Sequence, residues 1–199
     1  GSLDASNTLL WPHHHSIGSK DIYINNFKVV NYNIQIESFL DSPNGGAGVL
    51  AHELFHSFGA YDLYNGYYPV NFYDLMGRTL NPPQQLLAHM RYKYRNQWLP
   101  DIPEITESGT YTINPISSPY NNCYLIHLKA TTTYIVIEYK KSSSSIFSLN
   151  PDYDGLLIYR VDYTKNGNRT QNDPGGYYNE VYVFRKDGSP TTVGDSWQA

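Results

Sequence analysis

The chain has 199 residues, a formal charge of −4 and a charged fraction of 16%. That length suits one domain or two small ones with a buried core. The mild charge gives no footing for nucleic acid or for electrostatic attachment to a membrane. Cys123 is the only cysteine, which excludes an internal disulfide and any thiolate zinc cluster, so a metal site must be built from histidines and carboxylates. No apolar run approaches the length of a membrane span, and no signal peptide is visible. The 20 tyrosines, with plentiful Asn, Ser and Thr, suit an extracellular β-rich protein.

The opening segment contains Trp11-Pro12-His13-His14-His15. Neighbouring side chains in an extended chain point to opposite sides, so the run reads as a surface or groove-edge segment before it reads as a second metal site. Asp21 to Ile24, a turn at Asn25-Asn26 and Phe27 to Ile36 predict a β-hairpin. In its second arm Val30, Tyr32, Ile34 and Ile36 share one face, with Asn31, Asn33 and Gln35 on the other. The loop Asp41 to Gly46 feeds a predicted helix over 47–58, whose buried surface is expected from Val49, Leu50, Leu54, Phe55 and Phe58.

That helix carries His52-Glu53-Leu54-Phe55-His56, followed by Gly59 and Asp62, in the pattern H-E-x-x-H-x-x-G-x-x-D. Side chains four apart lie on one helix face, so His52 and His56 can present their imidazoles to one ion. Glu53 reaches a water at that ion without binding the ion itself. Gly59 can take the left-handed conformation that ends a helix, and Asp62 then arrives as a third ligand. Two histidines and a carboxylate with one position open describe a catalytic zinc site and not a closed structural one. Glu104, Glu107 and Glu138 are the other carboxylates considered as third ligand.

Beyond Asp62 a Gly- and Tyr-rich stretch leads to the tight turn Tyr73-Asp74-Leu75-Met76-Gly77. Pro83 to Tyr94 predicts a second helix with proline in its first turn, and His89 near its middle reads as an ordinary histidine before it reads as a ligand. From Pro100 onward, Thr110–Ile113, Cys123–Leu128, Tyr134–Tyr139, Leu156–Val161 and Glu180–Phe184 are five strand candidates of an antiparallel sheet. The serine run 142–145 is a connecting loop and 173–176 a turn. Asn150 to Gly155 mimics the first half of a calcium loop, but Val161 at the twelfth position excludes an EF-hand. An Asp-rich turn is the simpler reading, and Ca2+ stands only as a secondary cofactor expectation. Asn168-Arg169-Thr170 fits a glycosylation acceptor.

His52 to Asp62 with Leu63-Tyr64, the turn Asp74-Leu75-Met76-Gly77, and the late run Gly155 to Asp162 together resemble the immune inhibitor A family of secreted bacterial metallopeptidases. The segments Val29 to Glu37 and Lys93 to Leu99 also resemble regions flanking that family's site, so the resemblance runs from about residue 11 to about residue 162. It implies an α+β, zincin-like catalytic region over 1–100, with a mixed sheet, an active-site helix and a second helix, followed by an antiparallel β-rich subdomain over 101–199. It also implies a secreted protein with one Zn2+ held by His52, His56 and Asp62, with Glu53 as general base and Met76 in a turn beneath the metal. About 50 residues precede His52, fewer than family members usually have there.

The expected activity is endopeptidase cleavage of a protein or peptide substrate, with Glu53 taking a proton from water and delivering it to the leaving amine. An oxyanion or substrate donor is expected from Tyr61, Tyr64, Tyr67, Tyr68, Tyr73 or Arg78, which the sequence does not rank. An extended substrate is expected along an edge strand within Phe27 to Ile36. Two rival readings are a non-catalytic protein- or glycan-binding or adhesion module that retains the metallopeptidase fold, and an aminopeptidase. The intact His-Glu-His set disfavours the first, and no evident group for a free amine supports the second.

Overall fold

The structure is a computed structural model that describes residues 11–40, 46–64, 68–95, 98–141, 154–168 and 180–185. Within them the chain is a mixed α+β protein with few helices and antiparallel sheets. Strand β1 (His13–Ser16) is followed by β2 (Tyr23–Ile24), β3 (Phe27–Lys28) and β4 (Asn31–Ile34). Helices α1 (Glu37–Leu40) and α2 (Gly46–His56), a 3-10 turn (Asn71–Tyr73) and α3 (Ala88–Tyr94) come next. Strands β5 (Cys123–His127), β6 (Thr133–Lys140), β7 (Gly155–Asp162) and β8 (Val181–Val183) complete the order. None of the described helices is long and apolar enough to cross a membrane.

The predicted hairpin forms at β2 and β3, with Asn25 and Asn26 both at positive φ (49° and 65°), as the right-handed twist of a tight hairpin requires. Its second arm does not continue as one strand. It breaks at Val29-Val30, and β4 pairs instead with β1. The upstream strands therefore form two small antiparallel sheets among the described residues, where a mixed sheet was expected. Val30 and Tyr32, placed on an apolar face by the alternation, are 60% and 39% exposed.

The later strands form a meander in the order β5-β6-β7-β8. The inward side chains of β6 and β7 meet across the ladder as Tyr134 with Val161, Val136 with Tyr159, and Glu138 with Leu157. Four of the five strand candidates thus appear in this sheet, whereas Thr110–Ile113 has no regular structure. A single cluster of buried side chains joins Phe55, Leu63, Met76, Leu87 and Met90 to Val136, Tyr159, Val161 and Val181, so the helical half and the sheet share one core.

Two helices depart from their predicted form. The second begins at Ala88, not at Pro83. Its first N–H groups find partners remote in sequence: Leu87 N–H donates to Asp74 Oδ2 (2.6 Å), Ala88 N–H to Glu138 Oε1 (3.0 Å) and His89 N–H to the Tyr159 hydroxyl (3.2 Å). Those groups do the work of an N-cap, so the helix starts where they are and not where proline allows. Helix α2 ends at His56, before the predicted residue 58; on it Phe55 is buried, but Leu50 and Leu54 stand 42% and 50% exposed, and Phe58 in the turn beyond is 39% exposed. The helix turns its histidine face inward, burying His52, Glu53 and Gly48. Gly48 has no room for a Cβ against the Leu80 carbonyl, and this close approach seats the segment after the Met76 turn directly on α2.

Candidate metal centre

The helix delivers the histidines as the four-residue spacing predicts. The His52 and His56 rings lie 4.8 Å apart at 89° to each other. Helix α2 ends in a turn where Gly59 N–H donates to His56 O (2.9 Å) and Gly59 takes φ 91°, a conformation that costs glycine little. The chain then doubles back, and Asp62 Oδ1 stands 3.0 Å from His52 Nε2 and 3.3 Å from His56 Nε2. These three side chains are the group among the described residues whose ligand atoms converge. Of the other carboxylates weighed as third ligand, Glu138 is committed to α3 and Glu104 to His127 at 2.8 Å, and Glu107 is exposed and outside the cluster.

The partners of the other ring nitrogens decide what this cluster can bind. His52 Nδ1 faces Leu75 O at 2.9 Å, and His56 Nδ1 faces Ala60 O at 2.8 Å. A carbonyl oxygen only accepts, so both Nδ1 atoms carry the hydrogen, and in a neutral imidazole Nε2 is then a lone pair. Two lone pairs and a carboxylate oxygen thus point at one another. Asp62 Oδ1 is buried with no hydrogen-bond partner. Two ligand atoms bound to one tetrahedral zinc stand about 3.3 Å apart, close to both Asp62–His separations. The residues fit a divalent cation of the zinc kind.

In the ion-free protein a proton takes the cation's place. Burial opposes the Asp62 charge, yet both histidines outweigh it and hold the carboxyl far below the usual range. Burial also lowers His56, but Asp62, the Ala60 carbonyl and Glu53 overcome it and raise the imidazole above its ordinary value. Burial first, then the charges of Asp62 and Glu53, push the Tyr64 hydroxyl up to about 12, so it stays protonated.

The turn at Met76 braces the site. Asp74 Oδ1 accepts from Met76 N–H (2.7 Å), Leu75 O orients His52, and Met76 O accepts from Leu63 N–H (2.8 Å), next to Asp62. Met76 itself is fully buried. A second brace was not legible in the sequence. Asn168 N–H donates to Asp62 O (2.7 Å), its amide donates to Leu63 O (2.9 Å) and Val181 O (2.8 Å), and its Oδ1 accepts from Val181 N–H (3.0 Å). Asn168 is 1% exposed, so the apparent glycosylation acceptor is an internal clamp with no free amide in the folded chain. The pattern Asn-x-Thr carries no signal for that role.

A cleft of about 500 Å³ opens beside the cluster, lined by His52, Glu53, Tyr64, Tyr68, Phe72 and Arg78 among others. Tyr64 stacks on His52 with ring centroids 6.2 Å apart. Of the donor candidates, Tyr64, Tyr68 and Arg78 line this cleft. Tyr61 does not, and Tyr73 is buried in the core beside Lys140. Tyr67 and the calcium-like run 150–153 lie outside the described residues, as do the loops at 142–145 and 173–176. Strand β1 lies against α2, and the His14 ring comes within 5.9 Å of His56, with its Nε2 buried and unpartnered. The strand bordering the site is therefore β1, whereas the sequence pointed to Phe27 to Ile36.

No protein-family model matches the chain, and no curated protein or solved structure matches it either.

Proposed function

We propose that the protein is a secreted zinc endopeptidase whose α2 cluster is the catalytic centre of a zincin-like region related to the immune inhibitor A peptidases. The observation that carries this reading is the meeting of two Nε2 lone pairs with an unpartnered buried carboxylate oxygen, beside a glutamate that lines an open cleft. His52, His56 and Asp62 would hold the ion. When bound, zinc acidifies water and polarises a peptide carbonyl. Glu53 follows His52 on the same helix and lines the cleft. It accepts the proton of the attacking water and returns it to the leaving amine. The Tyr64 hydroxyl, kept protonated by its surroundings, offers a hydrogen bond to the carbonyl oxygen as charge develops there. The cleft admits an extended peptide, and β1 offers a backbone for it to lie along.

The test is casein hydrolysis by the zinc-loaded wild type and by Glu53→Ala, with zinc content measured in both. Loss of a general base lowers the rate by about 10²–10⁴-fold, and zinc should remain at one per chain. Equal hydrolysis with zinc in both proteins would remove Glu53 from the mechanism. Zinc binding with no chelator-sensitive hydrolysis by wild type would favour the binding-module reading.

A further inference from the structure

Arg78 follows the Met76 turn and has an unusually fixed setting. Gly77 leaves no room for a Cβ against Asn71 O, so the chain turns tightly there. Arg78 N–H donates to Asn71 O (2.9 Å), and Arg78 O accepts from the Gln84 amide. With its backbone held on both sides, its guanidinium lies over the Phe72 ring at 4.5 Å and the Tyr68 ring at 4.8 Å. Both rings line the cleft that also contains His52 and Glu53. Ring faces attract the cation but leave its N–H donors unused. Among the described residues no carboxylate lies within ion-pair range of Arg78, although Lys28, Arg91 and Lys93 each have one.

A half-buried guanidinium held beside the reacting groups and lacking an anion is a receptor for a carboxylate, which its planar fork matches with two parallel hydrogen bonds. We infer that Arg78 is the specificity-determining residue of the cleft, and that it selects peptide substrates bearing a carboxylate next to the scissile bond. That carboxylate is either an Asp or Glu side chain or the free C-terminus of a short peptide. The inference rests on the peptidase reading and names its substrate class.

The experiment uses zinc-loaded protein and matched peptides. One set carries Asp or Asn at each position flanking the cleavage site with the C-terminus amidated. The other has neutral side chains with a free or amidated C-terminus. A charge-assisted pair of this kind gives the carboxylate peptide about a tenfold or greater advantage in kcat/KM. The Asp/Asn set and the C-terminus set tell the two sources apart. In Arg78→Gln the ratio should fall to about one, Arg78→Lys should restore part of it, and Arg78→Glu should favour a Lys-bearing peptide, a gain that misfolding cannot produce. A ratio near one in wild type, or the same ratio in wild type and Arg78→Gln, overturns the inference. The latter includes the case where Arg78 serves the oxyanion and both peptides slow together. If wild type cleaves none of the peptides, the peptidase reading fails by itself. Fluorescence anisotropy of the same peptides on Glu53→Gln and on Glu53→Gln/Arg78→Gln then still reads carboxylate selection. A preference confined to the single variant supports it, and equal binding overturns it.

Discussion

Two regions of the molecule are built from the same residue types and do opposite things. In the α2 cluster, His52, His56 and Asp62 meet with no hydrogen between them when both imidazoles are neutral, since each then gives its one hydrogen to a backbone carbonyl. Beneath α3, every carboxylate is met by donors. Glu180 accepts from His89 Nε2 (2.7 Å), from Lys93 Nζ (2.6 Å) and from Gly167 N–H. His89 Nδ1 is bonded to the Tyr134 hydroxyl (2.7 Å), and Asp74 accepts two backbone N–H groups. The first cluster lacks a positive charge that a cation would supply, and the second is complete as it stands. Histidines with carboxylates do not by themselves make a metal site; the count of available hydrogens does.

The largest expected effect breaks the complete network. Glu180→Ala leaves His89 and Lys93 without their buried partner, and losses of this kind cost about 3–5 kcal/mol, read as a shift in the urea midpoint. By contrast, Asp62→Ala in chelator, at a pH above the raised His56 value, should stay within about 1 kcal/mol of wild type, because its partner nitrogens are then neutral. A large loss in that variant without metal would mean the α2 cluster is itself a structural ion pair.

Zinc should sharpen the contrast. At a free concentration of 100 times Kd it stabilises the wild type by about 2.7 kcal/mol. That gain should vanish in His52→Ala, His56→Ala and Asp62→Ala and survive in His89→Ala, measured against each variant's own baseline. Asn168→Ala removes the side-chain bonds to Leu63 and Val181 and keeps the backbone bond to Asp62 O; it should cost about 1–3 kcal/mol and also weaken zinc binding, by up to about 10–100-fold for an outer brace. Lost stability with unchanged zinc affinity would make Asn168 a packing residue only.

The gentlest lever is pH. His56 is raised above its ordinary value of 6.5, so its protonated form is favoured in the zinc-free protein up to that raised value and is lost as pH rises through it. Zinc must displace this proton, and affinity should therefore fall by about 1.4 kcal/mol per pH unit below the raised value. Glu180 moves the other way. Burial opposes its charge, but His89, Lys93 and Gly167 outweigh it and lower its pKa. Its stabilisation is full above the ordinary 4.5 and is lost only as pH falls through the lowered value. Calorimetric zinc titrations and urea unfolding from pH 8 to 4 should separate the two regions, with zinc affinity failing first.

Much of this was written locally in the chain. Spacing within one helix placed His52 and His56 together, Gly59 announced the turn that returns Asp62, and β-rich runs between turn residues marked β6 and β7. What escaped reading depends on distant partners. The start of α3 is set by Asp74, Glu138 and Tyr159, and Asn168 clamps a segment about a hundred residues earlier in the chain. The apolar residues of α2 outnumber what the core accepts, so apolarity could not tell that the histidine face turns inward and leaves Leu50 and Leu54 outside. The break between β3 and β4, which brings β1 to the site, follows from pairing with His13–Ser16 and leaves no mark in Val29-Val30.

The most direct test of the whole account is a crystal structure of the zinc-loaded protein. One ion is expected, with His52 Nε2, His56 Nε2 and an Asp62 oxygen within about 2.0–2.2 Å, and a fourth position open to the cleft beside Glu53. A zinc bound elsewhere, or one at the histidines with Asp62 turned away, would contradict it.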